Sequence, residues 1–142
     1  MKRRKTTTEP ELMARNKPIP GAKQRWFADR YAKNARFVSQ MAHPLIELLN
    51  PKKGETILDL GCGNGAFTKL ISQKGANVIG VDASEDQILA TKKLGITAIV
   101  MDGHKLAFRP VFDAILTNAA LHWMTKPTDV LSGMRHSLKP DG

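Results

Sequence analysis

Cysteine is nearly missing from this chain. Cys62 is the single thiol in 142 residues, so no internal disulfide framework can form, and the count suits a reducing, cytoplasmic setting. Aromatic residues are scarce at 6%, and no RNA-binding signature appears downstream of the basic terminus. No apolar run approaches membrane-spanning length. The basic run Lys2-Arg3-Arg4-Lys5 leads into Thr6-Thr7-Thr8 and not into an apolar segment, so it is not a secretory leader. His43, His104 and His136 form no ligand cluster with the lone cysteine, and no metal site is expected.

What remains is the composition of one globular domain, with 42% apolar residues. The net charge of +9 suits nucleic acid, an anionic surface or an acidic small substrate. It is equally the signature of a basic terminus on an ordinary solvated surface, and that is the preferred reading.

Residues 1–21 read as a flexible basic arm closed by Pro18-Ile19-Pro20-Gly21. A helical lead-in follows over residues 22–53. Trp26, Phe27, Arg30 and Tyr31 cluster there, then Phe37, Met41, Leu45, Leu48 and Leu49 recur near helical spacing, and Pro44 is placed to kink or divide the helix. Residues 54–142 alternate between two periodicities. Strands are expected at Thr56 to Leu60, Ala76 to Val81, Ile96 to Met101 and Phe112 to Thr117, each closed by a polar residue at or just past its end: Asp59, Asp82, Asp102 and Asn118. Phe67, Leu70 and Ile71 mark a first intervening helix; Ser84 and Gln87 have capping-box spacing ahead of a second, with Ile88 and Leu89 inward. Pro127, Val130, Leu131, Met134 and Leu138 mark a last helix before Pro140. This alternation predicts a doubly wound α/β fold with a parallel sheet. Right-handed crossovers then bring all four polar residues to one edge.

The stretch Ile57-Leu58-Asp59-Leu60-Gly61-Cys62-Gly63-Asn64-Gly65 gives that edge its chemistry. Gly61 and Gly63 permit a tight turn and close backbone approach by a ligand, and Gly65 lets the next helix pack closely. Cys62 sits near a helix start, where a thiol can become acidic, but a small residue filling a tight loop is the favoured reading. Gly61, Gly63 and Ala66 also satisfy a dinucleotide fingerprint. Asp59 separates the two possibilities: a carboxylate beneath the loop repels a pyrophosphate and attracts the ammonium group of a sulfonium amino acid. Electrostatics therefore favours S-adenosyl-L-methionine over NAD. Asp82 lies 21 residues beyond Gly61, the spacing of a carboxylate that accepts from ribose hydroxyls, or it is simply an acid at a helix start. Ala83 is small enough to lie under an adenine. Asp102-Gly103-His104 is either an adenine-reading turn, with a carboxylate for the amino group and amides for the ring, or a polar turn.

Four stretches carry a resemblance to class I S-adenosylmethionine-dependent methyltransferases, in the small-molecule type 11 and trans-aconitate methyltransferase-like branch. They are Ile57 to Gly65, Val81-Asp82-Ala83-Ser84, Asn118-Ala119-Ala120-Leu121-His122-Trp123, and Ser137-Leu138-Lys139-Pro140-Asp141-Gly142. The resemblance implies a Rossmann-like sheet of order about 3-2-1-4, methyl transfer to a small-molecule acceptor, and cofactor contacts from Asp59, Gly61, Cys62, Gly63, Gly65, Asp82, Ala83, Asp102, Gly103, His104 and Asn118. His122 is the candidate base, or for a carboxylate acceptor a hydrogen-bond donor; alternatively it packs beside Trp123, whose own role is pocket wall or, preferably, packing. The lead-in aromatics are lid or plain core.

The family pattern continues into strands 5–7, which this chain does not include, and Asp141 stands where glycine is usual. A fragment of a longer protein, a truncated product, and a half-fold completed by another chain each account for this, the first two being favoured. Phe112 to Leu116 is then expected as an exposed apolar edge, open to association. An isolated chain of this kind is expected to bind cofactor weakly and turn over poorly. Two rivals remain: a non-catalytic binding module on the same scaffold and, less favoured, an NAD-dependent oxidoreductase.

Overall fold

The computed structural model describes residues 36–37 and 40–142. The basic arm and the cluster of Trp26, Phe27, Arg30 and Tyr31 lie outside the described residues. The unit built from Phe37 to Gly142 is organised by β1 (Thr56–Leu60), whose last four residues are all buried. Strands β2 (Asn77–Asp82), β3 (Thr97–Val100) and β4 (Ala114–Leu116) complete one sheet of order β3-β2-β1-β4. All pairings are parallel, with Asp59 opposite Gly80 on one side and Leu116 on the other. This is the 3-2-1-4 order expected from the sequence.

Side chains alternate across β1, and the sheet is therefore covered twice. Ile57 packs with Val78, Ala42 and Ile46 of the lead-in helix (residues 40–49), and Ile71 of α1 (Ala66–Ser72). Leu58 and Leu60 face the opposite layer, with Val81, Phe112 and Val130 of α3 (Pro127–Ser137). Helix α2 (Glu85–Lys93) buries Ile88 beside Cys62 and Ala98. Asp59 shares its face with Ile57, so its carboxylate enters the α1 layer.

Four local expectations are corrected. Of the two outcomes expected at Pro44, division does not occur, and the lead-in helix runs through it. Leu89 is half exposed, because with Ile88 and Thr91 turned inward the intervening position rotates toward solvent. The capping box at α2 is half formed: Ser84 Oγ accepts from Gln87 N at 3.4 Å, while Ser84 N donates to Asp82 Oδ1 at 2.9 Å, leaving Gln87 nothing to return. Strand β4 is shorter than Phe112 to Thr117, and Phe112 is no exposed edge; it is fully buried. Its amide donates to Ser137 O and its carbonyl accepts from Lys139 N at 2.9 Å, forming a parallel bridge to Leu138. Phe108 meets its ring edge-on at 5.0 Å. This pairing draws Leu138 into extended backbone, which ends α3 at Ser137, ahead of Pro140. Asp113 locks the same corner, accepting from Thr56 N at 2.8 Å and Lys139 Nζ at 2.7 Å. The Lys139 bond holds its carboxyl below the usual range.

Among the described residues, Thr117 Oγ1 is the one buried side-chain polar atom without a hydrogen-bond partner. A hydroxyl left in that state costs about 1 to 3 kcal/mol. Thr117→Val, which keeps the shape, should therefore raise stability by about 1 kcal/mol in urea unfolding. An unchanged or lower midpoint would mean that a buried water already satisfies the hydroxyl.

Candidate active site at the carboxyl edge of the sheet

The loop Gly61–Gly65 curls over the end of β2. Gly61 N and Cys62 N both donate to Val81 O, at 2.7 and 3.0 Å, and Gly65 N closes the turn on Cys62 O at 3.1 Å. Gly61 (φ 78) and Gly63 (φ 54) occupy the left-handed region that a side chain resists. Their surroundings differ sharply. A Cβ on Gly61 would collide with Ala120 Cβ in the loop after β4, whereas one on Gly63 would meet no atom within 4 Å. Gly61 is thus a packing glycine and Gly63 an open one. Gly65 abuts Thr91: an added Cβ would lie 2.7 Å from its hydroxyl and methyl.

Two carboxylates flank this loop from different depths. Asp59 is 2% exposed, and Thr68 Oγ1 donates to its Oδ2 at 2.7 Å. Burial pushes its pKa up to about 6, and the charge of nearby Asp82 pushes the same way, against the pull of the Thr68 bond. Asp82 is partly exposed and already structural, since its Oδ2 accepts from Gly63 N at 3.0 Å and its Oδ1 from Ser84 N. It ties the glycine loop to the start of α2, and each oxygen keeps a further lone pair.

Cys62 is committed to the interior. Its thiol lies 3.9 Å from Thr91 Oγ1 and its amide is spent on Val81. Burial lifts the thiol to about 11, which supports the reading as a small loop-filling residue and not a reactive one. Ala83 is exposed at the head of α2. Asp102 caps the short 3-10 turn Gly103–Lys105, accepting from His104 N at 2.9 Å and His104 Nδ1 at 2.7 Å. The bond from the His104 amide holds its carboxyl below the usual range. Gly103 is buried against Met124.

Asn118 is exposed after β4, followed by Ala119 at φ 52. His122 lies in the 3-10 turn Leu121–Trp123, exposed, with its ring 4.8 Å from that of Trp123. Trp123 is 79% exposed, so the expectation that it packs inward is corrected. The structure therefore gathers Asp59, Gly61, Cys62, Gly63, Gly65 and Asp82 around one loop. Asp102 to His104 sit after β3, and Asn118 and His122 after β4.

Thr68 and Thr91 belong to this site although no motif marks them. Thr68 has one signal in the sequence, a hydroxyl three residues before Ile71 on the inward face of α1. Thr91 Oγ1 is within reach of Gly63 O at 2.8 Å and Gln87 O at 3.0 Å, a loop contact that only the packing of α2 reveals. Among the described residues no group of three His, Cys, Asp or Glu is placed to hold a metal, and no helix is long and apolar enough to cross a membrane.

The site suits a cation-bearing nucleoside: the space over Gly63 is open, a buried carboxylate lies beneath the loop, and Asp82 keeps spare acceptor capacity beside it. Comparisons with known proteins agree. Residues 58–142 match the type 11 family described as a methyltransferase domain. An uncharacterized methyltransferase of Schizosaccharomyces pombe is 36% identical over 126 residues, covering 82% of this chain and 48% of that protein. A trans-aconitate 2-methyltransferase of Mycolicibacterium gilvum is 34% identical over 63% of this chain and 36% of its own length. The crystal structure of an S-adenosylmethionine-dependent methyltransferase from Mesorhizobium loti superposes with a TM-score of 0.62 at 30% identity, over 68% of this chain and 48% of that one. The chain thus spans about half the length, or less, of the relatives it matches. A parallel 3-2-1-4 sheet, a glycine loop over two carboxylates and a family match across more than half of the sequence lead to one conclusion: this chain belongs to the class I S-adenosylmethionine-dependent methyltransferases, in the type 11 branch.

Proposed function

We propose that this chain binds S-adenosylmethionine at the glycine loop and takes part in methyl transfer to a small acidic acceptor, a carboxylate. The observation that carries the reading is the pairing of a buried carboxylate, Asp59, with the open backbone at Gly63. Asp59 answers the ammonium group of the cofactor, whose approach replaces the water that burial removed. Asp82 accepts from the ribose hydroxyls with the lone pairs that Gly63 N and Ser84 N leave free. Ala83 lies under the adenine, and the Asp102 turn reads its edge. Cys62, Gly61 and Gly65 act through the shape of the loop, and Asn118 borders the methionine end.

Bound S-adenosylmethionine supplies a methyl group already activated on a sulfonium, so this chain contributes mostly alignment. His122, exposed beside Trp123, donates a hydrogen bond to a carboxylate acceptor or takes the proton of a protonated one. Two relatives support the acidic class by name, the trans-aconitate 2-methyltransferase and a malonyl-[acyl-carrier protein] O-methyltransferase of Halalkalibacterium halodurans, 32% identical over 120 residues. A cytoplasmic setting accords with the lone buried thiol, and the outer side of β4 beyond Phe112 is where association with further chain would add to the sheet.

Calorimetric titration tests the reading. The chain should bind S-adenosylmethionine and S-adenosylhomocysteine, NADH should not compete, and Asp82→Ala should weaken binding roughly 100-fold through two lost charge-assisted hydrogen bonds. Binding that survives Asp82→Ala, or displacement by NADH, would remove it. Release of S-adenosylhomocysteine from an acidic acceptor tests the transfer itself, and the absence of turnover beside intact cofactor binding would leave the binding-module reading in its place.

A further inference from the structure

The side chain of His104 has a connection that the cofactor reading does not use. Its Nδ1 lies 2.7 Å from Asp102 Oδ1, and its Nε2 accepts from the backbone amide of Lys126 at 3.3 Å. A backbone amide can only donate, so Nε2 must present its lone pair. The ring hydrogen of the neutral imidazole then sits on Nδ1, where the carboxylate receives it. The bridge therefore specifies one tautomer.

Its far end falls at a sensitive place. Lys126 is the N-cap of α3, and no side chain caps that helix. A helix start leaves four amides without intrahelical partners. Pro127 has no N–H, Asp129 N turns back to Lys126 O at 3.1 Å, and the Lys126 amide is taken by His104. The turn and the residues after it also pack closely on this segment: a Cβ on Gly103 would lie 2.9 Å from Met124 Cε, and one on Gly133 of α3 would lie 3.1 Å from Leu106 Cβ. His104 thus joins the loop after β3 to the segment that runs from Asn118 through His122 into α3.

We infer that His104, in its Nδ1–H form, is a positioning residue that clasps the Asp102 turn to the start of α3 and so holds the adenine side and the acceptor side of the site in one arrangement. The inference rests on the reading that the Asp102 turn faces the cofactor. It assigns the imidazole a role separate from any contact with the ligand.

Two substitutions split the bridge. His104→Gln places an amide oxygen near the Nε2 position and keeps an acceptor for Lys126. His104→Asn places an amide nitrogen near the Nδ1 position, keeping the bond to Asp102 and losing Lys126. Nitrogen-15 NMR of the unliganded protein should show His104 as the Nδ1–H tautomer. Amide exchange at Lys126 should stay slow in the Gln variant and quicken about tenfold in the Asn variant, as for loss of one hydrogen bond. S-adenosylmethionine affinity should follow, about tenfold weaker in the Asn variant than in the Gln variant. An Nε2–H tautomer, or equal Lys126 exchange in the two variants, overturns the bridge without reference to cofactor. Quickened exchange with undiminished affinity overturns the positioning role, and failure of the wild-type chain to bind cofactor strikes the underlying reading alone.

Discussion

Asp59→Asn should make this protein more stable near neutral pH and a poorer binder of S-adenosylmethionine. The carboxyl is 2% exposed with its pKa pushed up to about 6, burial outweighing the Thr68 hydrogen bond. The native state therefore holds the Asp59 proton more tightly than the unfolded chain does. Between about pH 4 and pH 6 the folded protein binds more protons, so stability falls as pH rises through that window and levels off above it. Two pH units at about 1.4 kcal/mol each set a ceiling of about 3 kcal/mol on the loss. Asparagine carries no charge to desolvate, and its oxygen can still accept from Thr68. Urea unfolding at about pH 4 and about pH 8 should show the wild type losing stability across the interval from this group and the variant lacking that loss. Parallel pH profiles would refute the assignment. Binding should run the other way: an ammonium group needs the ionised carboxylate, so wild-type affinity climbs as pH rises through about 6 and the variant stays flat. The charge that weakens the fold is the charge proposed to hold the ligand.

Gly61→Ala should damage folding far more than Gly63→Ala, two positions along the same loop. Both glycines have left-handed backbone, which costs an alanine about 1 to 2 kcal/mol. Only Gly61 adds a collision, with Ala120 Cβ across the seam between β1 and the loop after β4. Overpacking of this kind adds about 1 to 3 kcal/mol, so the total for Gly61→Ala reaches about 3 kcal/mol or more. Shortening Ala120 to glycine in the same chain should recover the collision share and leave the backbone share. Gly63→Ala, with nothing within 4 Å of the new carbon, should cost only the backbone share and act instead on cofactor affinity. Thermal melts of the three variants decide the matter; equal melting temperatures for the two single glycine variants would contradict it.

Much of this is legible in the amino-acid sequence. Thr56 to Leu60 reads as a buried strand because it is apolar and β-branched between turn residues, and the structure gives it the same bounds. The 3-2-1-4 order follows from the motif resemblance and the right-handed crossovers. The ends of β3 and β4 were less legible, because a strand stops where its hydrogen bonds find other partners. Phe112 illustrates this: its apolar character is plain, but its transfer from the β1 ladder to the pairing with Leu138 depends on where α3 ends. Leu89 and Trp123 are more exposed than their hydrophobicity predicts for a related reason, since composition gives hydrophobicity and only packing gives the rotation or the cover.

By itself the amino-acid order determined the periodicities, the glycine turn and the line of polar residues past the strands, since these depend on neighbours in the chain. Only the tertiary structure decided what each polar group is bonded to. It sank Asp59 onto Thr68, turned Asp82 toward the amide of Gly63, and laid Lys126 against the His104 ring, pairs 9, 19 and 22 residues apart. Partners at such separations meet only when helices dock on the sheet, and the same docking removes the water that sets a carboxyl's proton affinity.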